Sequence, residues 1–287
     1  MELINKKENI FGDDIAFVEQ YDFSTANMSE ENRIKAITTV ASICYQNPKA
    51  IGSESLYNRL LAESKGLPSS SFEFVPVLIS ADDFADYSYI YLSFTDNNPL
   101  TQYGEWILDG KYLLTNYRAI IYFYETFKID LRKHFNNKEE CEIIKQHFKV
   151  FLFKVDFPTR SQMVRHRISW QELSRRYVSA KRVPFEFYVS EKLKGNQKVQ
   201  DLIKQSEDLY FELLESGIKP QEARRVIPQM GYTQIWGAFQ PKQLENYFEL
   251  RLDESAQWEI RQTAISMQEL INKENEHKFL FEGSLND

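Results

Sequence analysis

Basic side chains are concentrated in one short segment of an otherwise acidic chain. Residues 160–183 carry seven basic residues and a single acidic one, Glu172, although the 287-residue chain has a net charge of −7. Six of the seven are arginine, whose planar guanidinium binds phosphate and carboxylate groups in a bidentate manner. His166, Ser174 and Tyr177 lie among them and add hydrogen-bonding groups. This composition favours a dedicated anion-binding site over a solvated basic surface.

Another arginine lies on the apolar face of a predicted helix that begins at Pro241. Four residues follow at the spacing i, i+3, i+4 and i+7, which places them on one side of a helix: Leu244, Tyr247, Phe248 and Arg251. An unpaired charge is costly to bury, so Arg251 requires an anion or a polar ligand. A salt bridge to Asp253 or Glu254 is the structural alternative, and a bound substrate is the functional one.

The other reactive side chains do not form a common catalytic or metal-binding pattern. The four histidines share no ligand spacing and two cysteines cannot form a metal cage, so we expect no metal site. His166 lies between two arginines, whose positive charge should hold its imidazole neutral. The sequence contains neither a Walker loop nor a GxGxxG motif. A bound nucleotide or flavin would therefore be held by side chains.

The composition is that of a globular protein, with 43% hydrophobic and 27% charged residues. No apolar run approaches the ~20 residues that a membrane span requires, and the first residues lack the apolar segment of a secretory signal. Two cysteines suit a reducing compartment, and the acidic total argues against a general nucleic-acid binder. We expect a cytoplasmic protein without membrane or nucleic-acid partners.

The elements that must position these residues are mainly helices. Hydrophobic periodicity predicts helices at about 29–45, 53–64, 106–135, 201–215 and 241–270, the last interrupted near 253–255. Strands are predicted at 71–80 and 149–157. The expected class is α+β, with helices packed around a small, mostly antiparallel sheet. We expect one catalytic domain over 1–287, with a helical insertion at approximately 81–148.

Two segments of the chain resemble the flavin-dependent thymidylate synthases (the ThyX family). RHRISWQELSRRY at 165–177 is similar to the family signature, in which Arg-His-Arg precedes a spacer, a Ser and an Arg-Tyr pair. Residues 224–261, which contain LRLDESAQWEIR, resemble the C-terminal part of the family, and ICY and SFEF at 43–45 and 71–74 match weaker landmarks. Three departures are a spacer of only six residues between Arg167 and Ser174, Pro68 at a position where the family often has His, and a large aromatic insertion.

The resemblance implies a reaction and an assembly. The reaction is the reductive methylation of dUMP to dTMP, a step of nucleotide biosynthesis, with 5,10-methylenetetrahydrofolate as carbon donor. FAD would carry the hydride and NADPH would reduce it, so the protein would be an FAD-dependent methyltransferase. The assembly would be a homotetramer of ThyX-like fold, with active sites shared between subunits and small molecules as the other partners.

The resemblance also assigns residues to roles. Arg251 would be catalytic, because it matches the arginine that stabilises the ionised uracil ring. The positions that match the dUMP site are Gln162, Arg165, Glu172, Leu173, Ser174, Arg175, Arg176, Arg224 and Arg251. The positions that match the FAD site are Ser70, Glu73, Arg165, His166, Arg167, Gln240, Lys242 and Asn246. Gln240 and Lys242 stand where the family commonly has Asn and Arg.

Two other readings remain open at this point. A related enzyme could hydroxymethylate a pyrimidine nucleotide, and the shortened spacer and Pro68 are the features that favour this hypothesis. A single-stranded nucleic-acid-binding module could use the basic segment together with Trp170, Tyr177 and Phe185 as stacking platforms. The acidic total speaks against the second of these.

Overall fold

A five-stranded antiparallel sheet lies at the centre of the molecule. This computed structural model describes residues 1–62, 68–88 and 98–282. The strands of the sheet are β1 (Glu2–Glu8), β2 (Phe17–Asp22), β6 (Lys149–Asp156), β7 (Ser169–Glu172) and β8 (Tyr232–Phe239). Their order is β1-β2-β6-β8-β7. The predicted strand at 149–157 is therefore confirmed as β6, which pairs along its length with β8, from Lys149 opposite Phe239 to Asp156 opposite Tyr232.

A second, three-stranded sheet has the order β3-β5-β4 and is also antiparallel. Its strands are β3 (Pro76–Ser80), β4 (Glu105–Ile107) and β5 (Tyr112–Asn116). The strand predicted at 71–80 is wrong in its first half, because Ser70–Phe74 form a 3-10 helix. That turn buries Ser71 together with both phenylalanines, whereas an alternating strand would have turned Ser71 to the opposite face. The partner of β3 is β5, so the two predicted strands belong to different sheets.

The segment predicted as a helical insertion is mixed in its described part. It contains β4 and β5 together with four helices, which are α3 (Ala81–Ser88), α4 (Pro99–Gln102), α5 (Tyr117–Phe127) and α6 (Lys138–His147). The helix predicted at 106–135 is therefore wrong outside α5. Leu113 and Leu114 are both buried in β5, and a short continuous apolar run fits a buried strand as well as a helix. Asn116 begins the actual helix, since its side chain accepts a hydrogen bond from the Ala119 N–H at 3.0 Å.

The other predicted helices are confirmed, and all but the last agree with the prediction to within a few residues; the last continues to Glu282, beyond the predicted end at 270. They are α1 (Glu30–Tyr45), α2 (Glu54–Leu61), α8 (Gln197–Glu215), α10 (Pro241–Arg251) and α11 (Trp258–Glu282), with the short α7 (Phe157–Met163) and α9 (Pro220–Ala223) between them. Ser29 and Ser53 cap α1 and α2 by accepting a hydrogen bond from the N–H three residues on. The predicted end of the second helix at 63–64 lies outside the described residues. The break predicted at 253–255 separates α10 from α11.

Two apolar cores lie against the five-stranded sheet. One joins α1, the 3-10 helix, the second sheet and α5, with Val40, Phe72 and Leu114 among its fully buried members. The other joins β6 and β8 to α10 and α11, with Phe153 and Tyr247 among its buried members. The α+β class is thereby confirmed, and both cores position the strand β7 between the two clefts described below. No helix in the described ranges combines the length and apolar character needed to cross a membrane.

Candidate active site

The strand β7 links two clefts that hold most of the predicted site residues. The residues at its start line one cleft with Arg167, and Glu172 at its end lines the other with Ser174. We call them the Arg167 cleft, of about 680 Å³, and the Ser174 cleft, of about 440 Å³. Both volumes are in the range of small-molecule sites.

The Ser174 cleft brings together five of the residues predicted for the nucleotide. These are Glu172, Leu173, Ser174, Arg175 and Arg224, which come from two parts of the chain about 50 residues apart. The remaining lining residues are Phe157, Arg160, Phe185, Arg225 and Ile227. Cationic and hydroxyl groups thus face the same space as an apolar wall, an arrangement suited to a ligand with an anionic and a planar part.

The carboxylate of Glu172 is held on both of its oxygens. Arg160 donates to Oε2 through Nε at 2.9 Å and through Nη2. The Thr233 hydroxyl donates to Oε1 at 3.1 Å. The sequence places Arg160 in the basic segment but indicates no role for it. Nothing in the sequence marks Thr233, which reaches Glu172 only because β7 pairs with β8.

Arg175 is buried, and its hydrogen bonds go to the loop that follows it. Its guanidinium donates to the carbonyl of Val183, and to that of Pro184 at 3.0 Å, and lies 4.6 Å from the ring centre of Phe185. Burial lowers the pKa of this guanidinium. Arg175 therefore holds the cleft wall together, whereas Arg224 is exposed at its rim.

The loop that carries Ser174 is fixed to the end of α1. The Ser174 N–H donates to the Cys44 carbonyl at 3.2 Å. The Cys44 thiol donates to the Glu172 carbonyl at 3.0 Å, and Gln171 Nε2 lies 2.8 Å from the same sulfur. These contacts give the ICY segment a physical role, because they determine where Ser174 lies.

His166 and Arg251 meet between the sheet and α10. Arg251 Nε donates to His166 Nε2 at 2.8 Å, and Nη2 donates to the Gln162 carbonyl at 3.2 Å. Burial, and then the charge of Arg251, lower the pKa of His166, so the imidazole is neutral and accepts at Nε2. Within the described part of the chain, no ion pair joins Arg251 to Asp253 or Glu254, so the structural alternative for Arg251 is wrong.

The Arg167 cleft brings together four of the residues predicted for the flavin. These are Glu73, Arg167, Gln240 and Lys242. Glu73 forms a salt bridge with Arg118 of α5. Residues 102–106, within the predicted insertion, line the same cleft, although no sequence motif marks them.

The other predicted residues lie outside the linings of both clefts. The Gln162 side chain donates to Gln257 at 2.7 Å, and the Ser70 hydroxyl donates to Gln171. Arg176 is exposed and reaches Gln221 at 3.4 Å. Arg165 and Asn246 are exposed as well. Among the described residues, no group of three or more His, Cys, Asp or Glu is arranged to hold a metal ion.

The family model matches the part of the chain that forms the Ser174 cleft and part of the Arg167 cleft. The family described as thymidylate synthase complementing protein matches residues 130–275. A protein of Thermotoga neapolitana named flavin-dependent thymidylate synthase is 30% identical over 168 residues, covering 52% of this chain and 76% of that protein. Proteins of the same name from Saccharolobus solfataricus and Thermosipho africanus are 36% and 34% identical. Each alignment covers 47% of this chain, and 54% and 72% of the respective relative.

Proposed function

The chain belongs to the thymidylate synthase complementing protein family, and from this premise we propose that it is a flavin-dependent thymidylate synthase. It methylates dUMP to dTMP with 5,10-methylenetetrahydrofolate as carbon donor and FAD as hydride carrier, reduced by NADPH. The observation that carries the proposal is the meeting of two distant motifs, since Arg251 Nε lies 2.8 Å from His166 Nε2 and Arg224 lines the cleft of Ser174.

The donor set of the Arg167 cleft fits a flavin dinucleotide. Arg167 and Lys242 supply positive charge for a pyrophosphate, and Gln240 and Gln243 supply amide groups for ring or ribose atoms. Glu73, paired with Arg118, adds an acceptor. When bound, FAD would supply the hydride that the side chains of this chain cannot supply. Arg165 and His166, which with Arg167 form the Arg-His-Arg part of the family signature, are assigned to the same cofactor.

The Ser174 cleft supports binding of the dUMP phosphate. We assign the phosphate to Ser174 and Arg224, which line the cleft, and to Arg176, which is exposed outside the lining, because a hydroxyl and two guanidinium groups match a dianion. Glu172, Leu173 and Arg175 then shape the wall of the nucleotide site, with Gln162 and Arg165 at its edge. Arg175 acts through Val183 and Pro184, as its hydrogen bonds indicate.

Arg251 is the proposed catalytic residue, and His166 positions it. The neutral imidazole accepts from Arg251 Nε, which fixes the guanidinium plane while the charge stays on Arg251. A fixed positive charge stabilises negative charge that develops on a uracil ring, which makes carbon 5 nucleophilic without a cysteine. Neither cysteine lines the Ser174 cleft, and burial raises the pKa of the Cys141 thiol to about 11.

A homotetramer with shared active sites is part of the proposal. The predicted nucleotide and flavin residues of one chain are divided between two clefts and the His166–Arg251 pair, and several others, such as Arg165 and Arg176, are exposed. Such a division supports a site that a neighbouring subunit completes. The cytoplasmic location stays a prediction from cysteine usage.

The product identifies the reaction. Purified protein should bind FAD and, with NADPH, dUMP and methylenetetrahydrofolate, should form a nucleotide heavier than dUMP by one methylene unit, which mass spectrometry detects. An added hydroxymethyl group would support the alternative enzyme. A colourless protein that takes up no FAD would overturn the proposal, and salt-dependent binding of single-stranded DNA by that protein would favour the nucleic-acid module.

A further inference from the structure

A short segment of the insertion forms one wall of the Arg167 cleft. Residues 102–106, from the last residue of α4 to the middle of β4, line the cleft together with Arg167, Gln240 and Lys242. The segment is separated along the chain from all of these residues, and the family match begins only at residue 130. The family model therefore does not cover this segment, and only the tertiary structure places it at the cleft.

Two hydrogen bonds attach this wall to the first turn of α10. Gln240 Nε2 donates to the Tyr103 carbonyl at 2.8 Å. The Lys242 N–H donates to Glu105 Oε2 at 3.0 Å. Because Gln240 and Lys242 also line the cleft, the segment is held beside the groups proposed to bind the flavin.

Close packing behind the segment fixes its position. A Cβ on Gly104 would lie 2.3 Å from the Leu100 carbonyl oxygen and 3.0 Å from Leu113 Cδ1. Only glycine permits this approach. Residues 102–106 are therefore held in one position at the cleft.

The wall presents two aromatic rings at the cleft. Tyr103 is 40% exposed and Trp106 is 39% exposed, although both belong to a packed region. Each ring contacts one neighbouring aromatic side chain, Tyr122 at 6.0 Å for Tyr103 and Phe84 at 5.1 Å for Trp106, measured between ring centres. Exposed aromatic faces next to cations suit a ligand that combines a planar heteroaromatic ring with phosphate groups.

We propose that Trp106 and Tyr103 of the insertion bind a planar ring of FAD in the Arg167 cleft. The inference rests on the proposed function, since it names additional residues for the same cofactor. The aromatic wall supplies stacking area for the ring, and Arg167 and Lys242 supply charge for the pyrophosphate. The insertion thus contributes directly to cofactor affinity.

The test is calorimetric titration of FAD into the flavin-free full-length protein and its Trp106→Ala variant. We expect the dissociation constant to rise about tenfold, as is usual when a stacked aromatic ring is removed. Trp106→Phe should retain most of the affinity. Titrations with FMN and with ADP assign the contact, because only the fragment that carries the stacked ring should lose affinity in Trp106→Ala.

Leu108→Ala is the matched control, since Leu108 lies two residues away, is 42% exposed and is absent from the lining of the cleft. It should bind FAD as the wild type does. Equal affinity of wild type and Trp106→Ala, with both folded by circular dichroism, would overturn the inference while the proposed function stands. Failure of the wild type to bind FAD would instead overturn the proposed function.

Discussion

Arg251 uses two of its guanidinium N–H groups on His166 and the Gln162 carbonyl, and a guanidinium has five. Arg251→Ala removes the charge without removing a flavin contact proposed here. We expect retained FAD absorbance and turnover lower by a factor of about 100 or more, the usual cost of losing one charge-stabilising donor. Steady-state kinetics measure the effect. Arg59→Ala, at an exposed position on α2, is the control, and unchanged turnover in Arg251→Ala would remove Arg251 from the catalytic role.

His166 gives the fold a pH dependence with a definite sign. Burial and the charge of Arg251 lower its pKa below the ordinary value of 6.5, so the unfolded chain binds this proton more readily. The stabilising contribution of neutral His166 is complete above about pH 6.5 and is lost as the pH falls through the lower, folded-state pKa. We expect the free energy of unfolding to fall between pH 7 and pH 5 by more in the wild type than in His166→Gln. Urea denaturation at several pH values measures this, and equal slopes would contradict it.

Arg160 is proposed as a positioning residue, because it acts through Glu172. Arg160→Gln removes the charge that holds Glu172 Oε2 and leaves Thr233 on the other oxygen. We expect the dissociation constant for dUMP to rise about tenfold, with FAD affinity unchanged. Titration calorimetry with each ligand measures the two affinities.

Arg160→Lys separates charge from geometry in this pair. Lysine keeps the positive charge but lacks the planar fork of arginine, so its dUMP affinity should lie between those of the wild type and Arg160→Gln. An effect of Arg160→Gln on FAD affinity as large as that on dUMP would indicate a general structural role instead.

At the scale of elements, residues 102–106, the wall of the Arg167 cleft, are held by the close approach at Gly104. A Cβ at Gly104 must displace either the Leu100 backbone or the segment itself. Gly104→Ala should therefore move the cleft wall and weaken FAD binding about tenfold. The expectation rests on the proposal that residues 102–106 contact FAD. Fluorescence titration of FAD measures the dissociation constant.

Gly110→Ala controls for backbone strain in the same region. Gly110 has a φ of +82°, and nothing lies within 4 Å of its added Cβ. The variant should lose about 1 kcal/mol of stability and bind FAD normally. If both variants bind FAD like the wild type, the position of residues 102–106 does not determine cofactor affinity.

At the scale of the whole molecule, the proposal of active sites shared between subunits predicts an assembly of more than one chain. Arg165, Arg176 and Asn246 are exposed, although the resemblance assigns each of them to a ligand. We expect sedimentation velocity to give a mass about four times the 34.0 kDa of the chain. Dilution that dissociates the assembly should abolish turnover, and a fully active monomer would contradict shared sites.

Local features of the sequence determined several of the helices and indicated the chemistry that we propose for the site. Ser29, Ser53 and the periodic apolar residues that follow them set α1 and α2, because capping and amphipathic spacing act within a few residues. The arginine excess at 160–183 indicated anion binding because charge is a property of residue type. The position of Arg251 on an apolar face indicated that it needs a polar partner.

The tertiary structure alone decided which segments meet. Leu113 and Leu114 became strand residues because β3 was available as a partner, and the local apolar run could not distinguish that outcome from a helix. Arg160 and Thr233 converge on Glu172, and residues 102–106 reach the Arg167 cleft, through contacts between segments far apart in sequence. Such contacts depend on sheet pairing and on core packing over the whole chain, and no local spacing of residues records them.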